Sequence, residues 1–263
     1  MEKNNLGLQP CEQPLLKVAL VGYGKMGKEI ESIACKNNVE IKAKLDLRTM
    51  SPLEIEKAVS FVDICIDFTR PESVLNNIKI LSHLKKNVVI GTTGFEKHLP
   101  EVKNLAQKNE IGILYSPNFS IGVLLFIEII KKAATLFSPF SEYDVSGFEA
   151  HHKDKIDMPS GTAKHIGDTL LNAINRKTKV VYQKDTLQDP KAEISFSSLR
   201  SGAIPGTHTV LFDSFADTIT LTHSARNRSG FASGALFAAH WLKGKKGFFT
   251  LDDILGSFNK SKK

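Results

Sequence analysis

Lys17-Val18-Ala19-Leu20-Val21-Gly22-Tyr23-Gly24-Lys25-Met26-Gly27 is the stretch on which the fold turns. Its first five residues are an apolar run, and the next six carry glycine at the spacing G-x-G-x-x-G. Met26, Ile30 and Ile33 then recur at helical spacing, and Ile41–Leu47 reads as a second strand. Strand, glycine-rich turn, helix and strand make the βαβ unit of a parallel sheet. Gly22 permits the tight turn, Gly24 lets the backbone approach a pyrophosphate, and Gly27 allows helix and strand to pack closely. The helix start offers unpaired amides and partial positive charge to that anion. Asp46 follows nineteen residues after Gly27, near the roughly 20-residue spacing of an acid that accepts from ribose hydroxyls. A carboxylate repels a 2′-phosphate, so Asp46 tilts the site toward NADH, while Lys44 and Arg48 soften that preference.

The alternation continues outward. Strands are expected at Val62–Asp67, Val88–Ile90 and Ile111–Tyr115, with helices over Pro71–Leu84 and Leu99–Lys108. This is the pattern of a Rossmann-like, doubly wound α/β domain. Asp67-Phe68-Thr69, Gly91-Thr92-Thr93-Gly94 and Ser116-Pro117-Asn118-Phe119 fall at strand ends, where such sheets bind ligands. The rhythm changes near residue 119. An apolar helix over Ile121–Phe137 precedes strand-like runs at Tyr143–Glu149, Glu193–Arg200, Thr207–Ser214 and Thr218–Ser224. Period-two alternation at Val210 and Phe212, and at Ile219 and Leu221, predicts a second, α+β domain with a mostly antiparallel sheet. An Ala-rich helix over Phe231–Leu242 is suited to packing back on the first domain. The expected organisation is 1–118 for dinucleotide binding (1–16 a loose extension), 119–228 for substrate binding and oligomerisation, and 229–263 returning to the first domain.

Composition excludes several classes. The 263 residues are 41% hydrophobic and 24% charged, ordinary for a globular protein. No apolar run approaches the roughly 20 residues of a membrane span, and residues 1–16 lack the apolar core of a secretory signal, so a cytoplasmic enzyme is expected. Cys11, Cys35 and Cys65 show no CxxC spacing, against a disulfide framework or a zinc site. The net charge of +7 is spread along the chain, with dense runs only at Lys243–Lys246 and Lys260–Lys263, and no aromatic-interleaved basic patch suggests nucleic acid. A positive balance suits an enzyme with anionic cofactor and substrate.

A polar block runs from Glu149 through His151, His152, Lys153, Asp154 and Lys155 to Pro159-Ser160-Gly161-Thr162. Ala163, Ile166, Leu170 and Ile174 continue it as an amphipathic helix, so Ser160-Gly161-Thr162 stands at a helix start able to hold an anion. A plain cap is the alternative there, but the histidines and Lys155 just upstream favour a bound substrate anion. Adjacent histidines in an extended segment face opposite ways and nothing nearby completes a ligand set, so no metal is expected. General-acid chemistry by an imidazole is the better use.

Together, VGYGKMG (21–27), DFTRPE (67–72), GTTGF (91–95), SPNFSIG (116–122), EAHHKDKIDMPSGTA (149–163), LRSGAIPGTHTV (199–210) and FASGALFAAHWL (231–242) resemble the dihydrodipicolinate reductase family, also named 4-hydroxy-tetrahydrodipicolinate reductases, from residue 17 to about 258. The histidine block is specific to that family, whereas the glycine-rich turn alone is not. The resemblance implies reduction of a cyclic imine dicarboxylate by NADH or NADPH, with loss of water, in lysine and diaminopimelate biosynthesis. It implies His151 as proton donor, Lys155 as stabiliser of substrate charge, and Gly161 and Thr162, with His152 alongside, on a substrate carboxylate. Gly22, Lys25, Met26 and Gly27 would hold the pyrophosphate and Asp46 the adenosine ribose, while Gly91, Thr92, Thr93, Ser116, Asn118 and Phe119 would border the nicotinamide. Hinges near 119 and at Arg228 and a homotetramer are implied as well. Leu47 stands where many members carry Arg, which argues against strong use of NADPH. Two other readings differ in kind: another two-domain dehydrogenase of aspartate-derived metabolites, and an NADH-binding regulator without turnover.

Overall fold

The computed structural model describes residues 15–182 and 187–260. Expectations placed on residues 1–14, Cys11 among them, and on the basic end at 261–263 lie outside the described residues. The chain divides into two compact units, Met1–Phe119 with Phe231–Lys263, and Ser120–Gly230.

The first unit opens with β1 (Leu16–Val21), α1 (Lys25–Ala34) and β2 (Val39–Leu45). It continues with α2 (Pro52–Val59), β3 (Ile64–Asp67), α3 (Pro71–His83), β4 (Asn87–Ile90), α4 (Leu99–Asn109) and β5 (Gly112–Tyr115). β3 and β5 are buried at every position, as parallel strands covered on both faces must be. One layer of core packs Cys65, Val88 and Ile113 of the sheet against Val74, Ile78, Val102 and Ala106 of α3 and α4. Burial pushes the Cys65 thiol up to about 12, so it behaves as a small apolar core residue. α2 was not anticipated, although its signal is present in Ser51-Pro52-Leu53-Glu54. The Ser51 hydroxyl accepts from the Glu54 amide and the Glu54 carboxylate accepts from the Ser51 amide, with proline in the first turn.

The second unit comprises α5 (Ile121–Phe137), β6 (Asp144–His151), α6 (Gly161–Ala173), β7 (Lys179–Tyr182), β8 (Glu193–Arg200), β9 (Thr207–Asp213) and β10 (Thr218–Ser224). Its strand order is β10-β9-β6-β8-β7. β10/β9 and β9/β6 are antiparallel, but β6/β8 and β7/β8 are parallel. The sheet is therefore mixed rather than mostly antiparallel. α6 carries the chain back after β6, and the unanticipated β7 enters alongside β8. α5 and α6 cover one face, where Ile130, Ile166 and Leu170 meet Val145, Phe196, Val210 and Phe212. On the other face Phe148 and Leu199 remain 42% and 56% exposed.

The chain then returns to the first unit through α7 (Ser229–Leu242), β11 (Gly247–Phe249) and α8 (Leu251–Lys260). α7 buries Ala232, Ala235, Ala238 and Ala239, small residues that allow close approach. β11, also unanticipated, pairs parallel to β5 and completes the order β11-β5-β4-β3-β1-β2. Asn87 secures this return: its amide group donates to the Leu242 and Lys245 carbonyls and its carbonyl oxygen accepts from the Gly112 amide. No helix among the described residues is long and apolar enough to cross a membrane.

Candidate active site

In the first unit the strand order reverses between β1 and β3, and a cavity of about 520 Å³ lies at the ends of the neighbouring strands, lined by Gly22, Gly24, Lys44, Asp46, Arg48 and Thr69 among others. Gly22 has φ +83°, and a Cβ there would lie 2.8 Å from Thr69 Cγ2, so the turn has no room for a side chain. No side chain caps α1 and no acid stands in its first turn, leaving its amides and partial positive charge for an anion. Lys25 is exposed and Gly27 buried beneath this helix start. These features fit a dinucleotide pyrophosphate.

Asp46 lies just beyond β2 with both carboxylate oxygens engaged by Arg48, Nε to Oδ1 at 3.0 Å and Nη2 to Oδ2 at 2.9 Å. That fork holds the Asp46 carboxyl below its ordinary value. Leu47 is buried, and both it and the exposed Arg48 line the cavity. Lys44 pairs with Glu31 at 2.7 Å and sits 4.3 Å above the Tyr23 ring.

Asp67, fully buried at the end of β3, ties the adjoining loops together. It accepts from the Thr69 amide and hydroxyl, from Asn77 and from Thr92. Burial raises its carboxyl above the ordinary value, and those bonds work against the rise. The Thr92 hydroxyl thus faces Asp67 rather than the cavity. Gly91 gives up its side-chain space to the Phe68 ring, which would lie 2.1 Å from a Cβ. Ser116 donates to the Asn118 carbonyl at 2.7 Å, and Phe119 is buried against Phe68 with ring centroids 6.0 Å apart. Thr92, Ser116 and Phe119 therefore shape these loops from within, whereas Thr93 is exposed and Asn118 half-buried.

In the second unit, alternation along β6 turns Val145, Gly147, Glu149 and His151 toward the helices. Register places Glu149 beside His208 of β9, and His151 beside Arg200 of β8. Glu149 is completely buried. Its Oε1 accepts from the Ser160 amide and from Arg200 Nη2, both at 3.0 Å. Its Oε2 accepts from the Ser160 hydroxyl and lies 3.4 Å from both His151 Nδ1 and His208 Nε2. Burial alone would raise the Glu149 carboxyl, but hydrogen bonds from His208, Ser160 and Arg200 outweigh it and hold the group well below the usual carboxylate range. Burial pushes His151 down to about 4; Glu149 opposes the shift, while His208, Lys155 and Arg200 add to it. His151 is accordingly neutral at rest near pH 7.

The Ser160 hydroxyl also accepts from the Ala163 amide at 3.1 Å, capping α6. It is buried in these contacts, so Ser160 holds the helix start rather than presenting its own hydroxyl. Gly161, exposed with open space beside it, carries the next amide outward, and Thr162 is half-buried next to it. Lys155 is held by Asp157 at 2.7 Å, and the half-buried His152 accompanies it in the same loop.

Three residues of this cluster were missed from sequence: Glu149 as a functional group, Arg200 and His208. The i, i+2 spacing of Glu149 and His151 on a strand was a usable signal, but Arg200 and His208 arrive on other strands. They also correct the reading that nothing completes a ligand set around the histidines. Glu149, His151 and His208 bring donor atoms within 4.8 Å of one another. Arg200 shares that carboxylate, however, and a second cation between the histidines would be repelled by its guanidinium. The arrangement suits anion handling and proton transfer better than metal binding.

Comparison with known proteins covers both units. A family model described as dihydrodipicolinate reductase, N-terminus, matches residues 16–119, and its C-terminal counterpart matches 122–255. A 4-hydroxy-tetrahydrodipicolinate reductase of Christiangramia forsetii is 36% identical over 94% of this chain and 100% of its own length. Among solved structures, a dipicolinate-bound dihydrodipicolinate reductase from Paenisporosarcina sp. TG-14 is similar with TM-score 0.70 and 27% identity, over 90% of this chain and 97% of that one. An amine dehydrogenase from Mycobacterium smegmatis shares the fold alone, with TM-score 0.55 and 9% identity over 89% of this chain and 94% of that one.

Proposed function

The chain belongs to the dihydrodipicolinate reductase family, and from that premise we propose that it reduces 4-hydroxy-tetrahydrodipicolinate to tetrahydrodipicolinate, with loss of water, in lysine and diaminopimelate biosynthesis. The reduced nicotinamide supplies a hydride. Gly22, Gly24, Lys25, Met26 and Gly27 hold the pyrophosphate and Asp46 the adenosine ribose, while Gly91, Thr93 and Asn118 border the nicotinamide on loops braced by Thr92, Ser116 and Phe119.

The observation that carries the site assignment is the gathering of His151, at 3.4 Å, and the hydrogen-bonded start of α6 about one buried carboxylate, Glu149. The Gly161 and Thr162 amides take one substrate carboxylate, with His152 beside them. Lys155 lowers the cost of charge developing on the ring. His151, neutral at rest, takes up a proton as the dianionic substrate arrives, then gives it to the ring carbon next to the one that accepts hydride. A regulator or an aldehyde dehydrogenase would leave this constellation without a use.

The cofactor preference leans to NADH through Asp46, with NADPH also accepted because Arg48 stands ready for a 2′-phosphate. A homotetramer built on the uncovered sheet face, with Phe148 and Leu199 at its centre, accounts for two large apolar side chains left in water. The free thiols at Cys35 and Cys65 suit the cytoplasm.

The test is oxidation of NADH and of NADPH with substrate generated in place by the preceding synthase. His151→Gln is expected to lower turnover by about a hundredfold or more while leaving NADH affinity within about twofold. Failure of the native protein to oxidise either cofactor sinks the proposed activity. Full turnover in the variant sinks only the donor assignment.

A further inference from the structure

Among the described residues, Glu149 lies against both His151 and His208 and holds the start of α6, and the proton transfer itself does not pass through its carboxylate. We propose that Glu149 is a positioning residue that holds His151 and His208 in opposite tautomers, so that the outward Nε2 of His151 is the atom that loads and delivers the proton. The proposal rests on His151 being the donor.

The geometry assigns each ring. His151 Nδ1 is buried without a hydrogen-bond partner and lies 3.4 Å from Glu149 Oε2, the carboxylate oxygen whose charge it feels. A bare Nδ1 would set its lone pair against an ionised carboxylate, whereas an Nδ1–H is attracted to it. The proton of neutral His151 therefore sits on Nδ1, and Nε2 is left open. Gly206 preserves that opening: a Cβ at 206 would come within 3.0 Å of His151 Nε2.

His208 is arranged the other way. Its Nε2 lies 3.2 Å from Ser160 Oγ and 3.4 Å from Glu149 Oε2. A hydroxyl has one proton and two lone pairs. The Ser160 proton goes to Glu149, and one lone pair takes the Ala163 amide. What remains is an acceptor, so His208 carries its proton on Nε2. Its Nδ1 is buried without a partner, and a bare ring nitrogen is better suited to that place than an unpaired N–H.

The proton balance then closes on itself. Substrate entry draws a proton from solvent water onto His151 Nε2 and makes the imidazolium. Transfer breaks the Nε2–H bond, forms the new C–H bond, and returns the ring to the Nδ1–H tautomer from which it started. Glu149 stays ionised throughout, and Arg200 on its other oxygen keeps it so.

Imidazole ¹⁵N spectra of the resting protein at pH 7, assigned with His151→Gln and His208→Gln, test this without turnover. The expected result is Nδ1–H for His151 and Nε2–H for His208. The same tautomer in both rings, or an Nε2–H ring at His151, overturns the proposal whatever the outcome of the donor assay. Glu149→Gln is expected to lower kcat roughly tenfold to a hundredfold, with NADH affinity unchanged. It should move the pH limb that requires the imidazolium downward, because the charge favouring that form is gone; Glu149→Asp should restore part of both. A loss of kcat with an unmoved pH limb and the native His151 tautomer would show a merely structural role.

Discussion

Arg48 and Asp46 pair in the lining of the first unit's cavity, and this changes what the acid alone implies. A lone carboxylate after β2 rejects a 2′-phosphate, but a carboxylate already forked by guanidinium does so weakly. Arg48→Ala is expected to weaken NADPH binding about tenfold, the effect of one lost charge-assisted contact, while NADH binding changes less than about twofold. Fluorescence titration of both cofactors reads this directly, and parallel losses would assign Arg48 a general electrostatic role. Gly22, Asp46 and the helix start at Ser160 were legible one residue at a time because local spacing fixes their surroundings. Glu149, Arg200 and His208 were not, because their meaning depends on three strands coming into register.

Among the elements, α7 lies close against the loop after β5 through Gly234. A Cβ on Gly234 would stand 1.6 Å from the Phe119 carbonyl oxygen, so helix and strand-end loop touch backbone to backbone. Gly234→Ala should cost about 3 kcal/mol by overpacking. Gly256→Ala on α8, where the added methyl meets open space, should be neutral or stabilising by up to about 1 kcal/mol. Denaturant midpoints compare the two, and equal effects would contradict the packing argument. Long elements with a clear period, such as α5 and β8, were readable to within a residue of their ends. α2, β7, β11 and α8 were not: the first three are short, and the two strands owe their place to a neighbour in the sheet rather than to their own alternation.

At the scale of the whole molecule, the buried histidine sets an acid limit. His151 falls from its ordinary 6.5 to about 4, so between those values the unfolded chain binds a proton that the folded chain refuses. Stability therefore falls as pH drops through that window, whereas the loss from Glu149, with its depressed carboxyl, comes only at lower pH. Melting temperature should drop less from pH 7 to 4.5 in His151→Gln than in the native protein; equal drops would remove His151 as the cause. Phe148→Asp is expected to shift the assembly to smaller species by light scattering with the melting temperature nearly unchanged, and a native protein that runs as a monomer would end the tetramer proposal. The return of the chain through α7, β11 and α8 bears on the order of events at the ribosome. Until the final segment emerges, β5 is an unprotected sheet edge and Asn87 has neither of its distant carbonyl partners. The unit that starts first in the sequence thus finishes last in synthesis, after the inserted unit is already complete, and a transcript cut short before β11 yields a nucleotide-binding sheet with an open side.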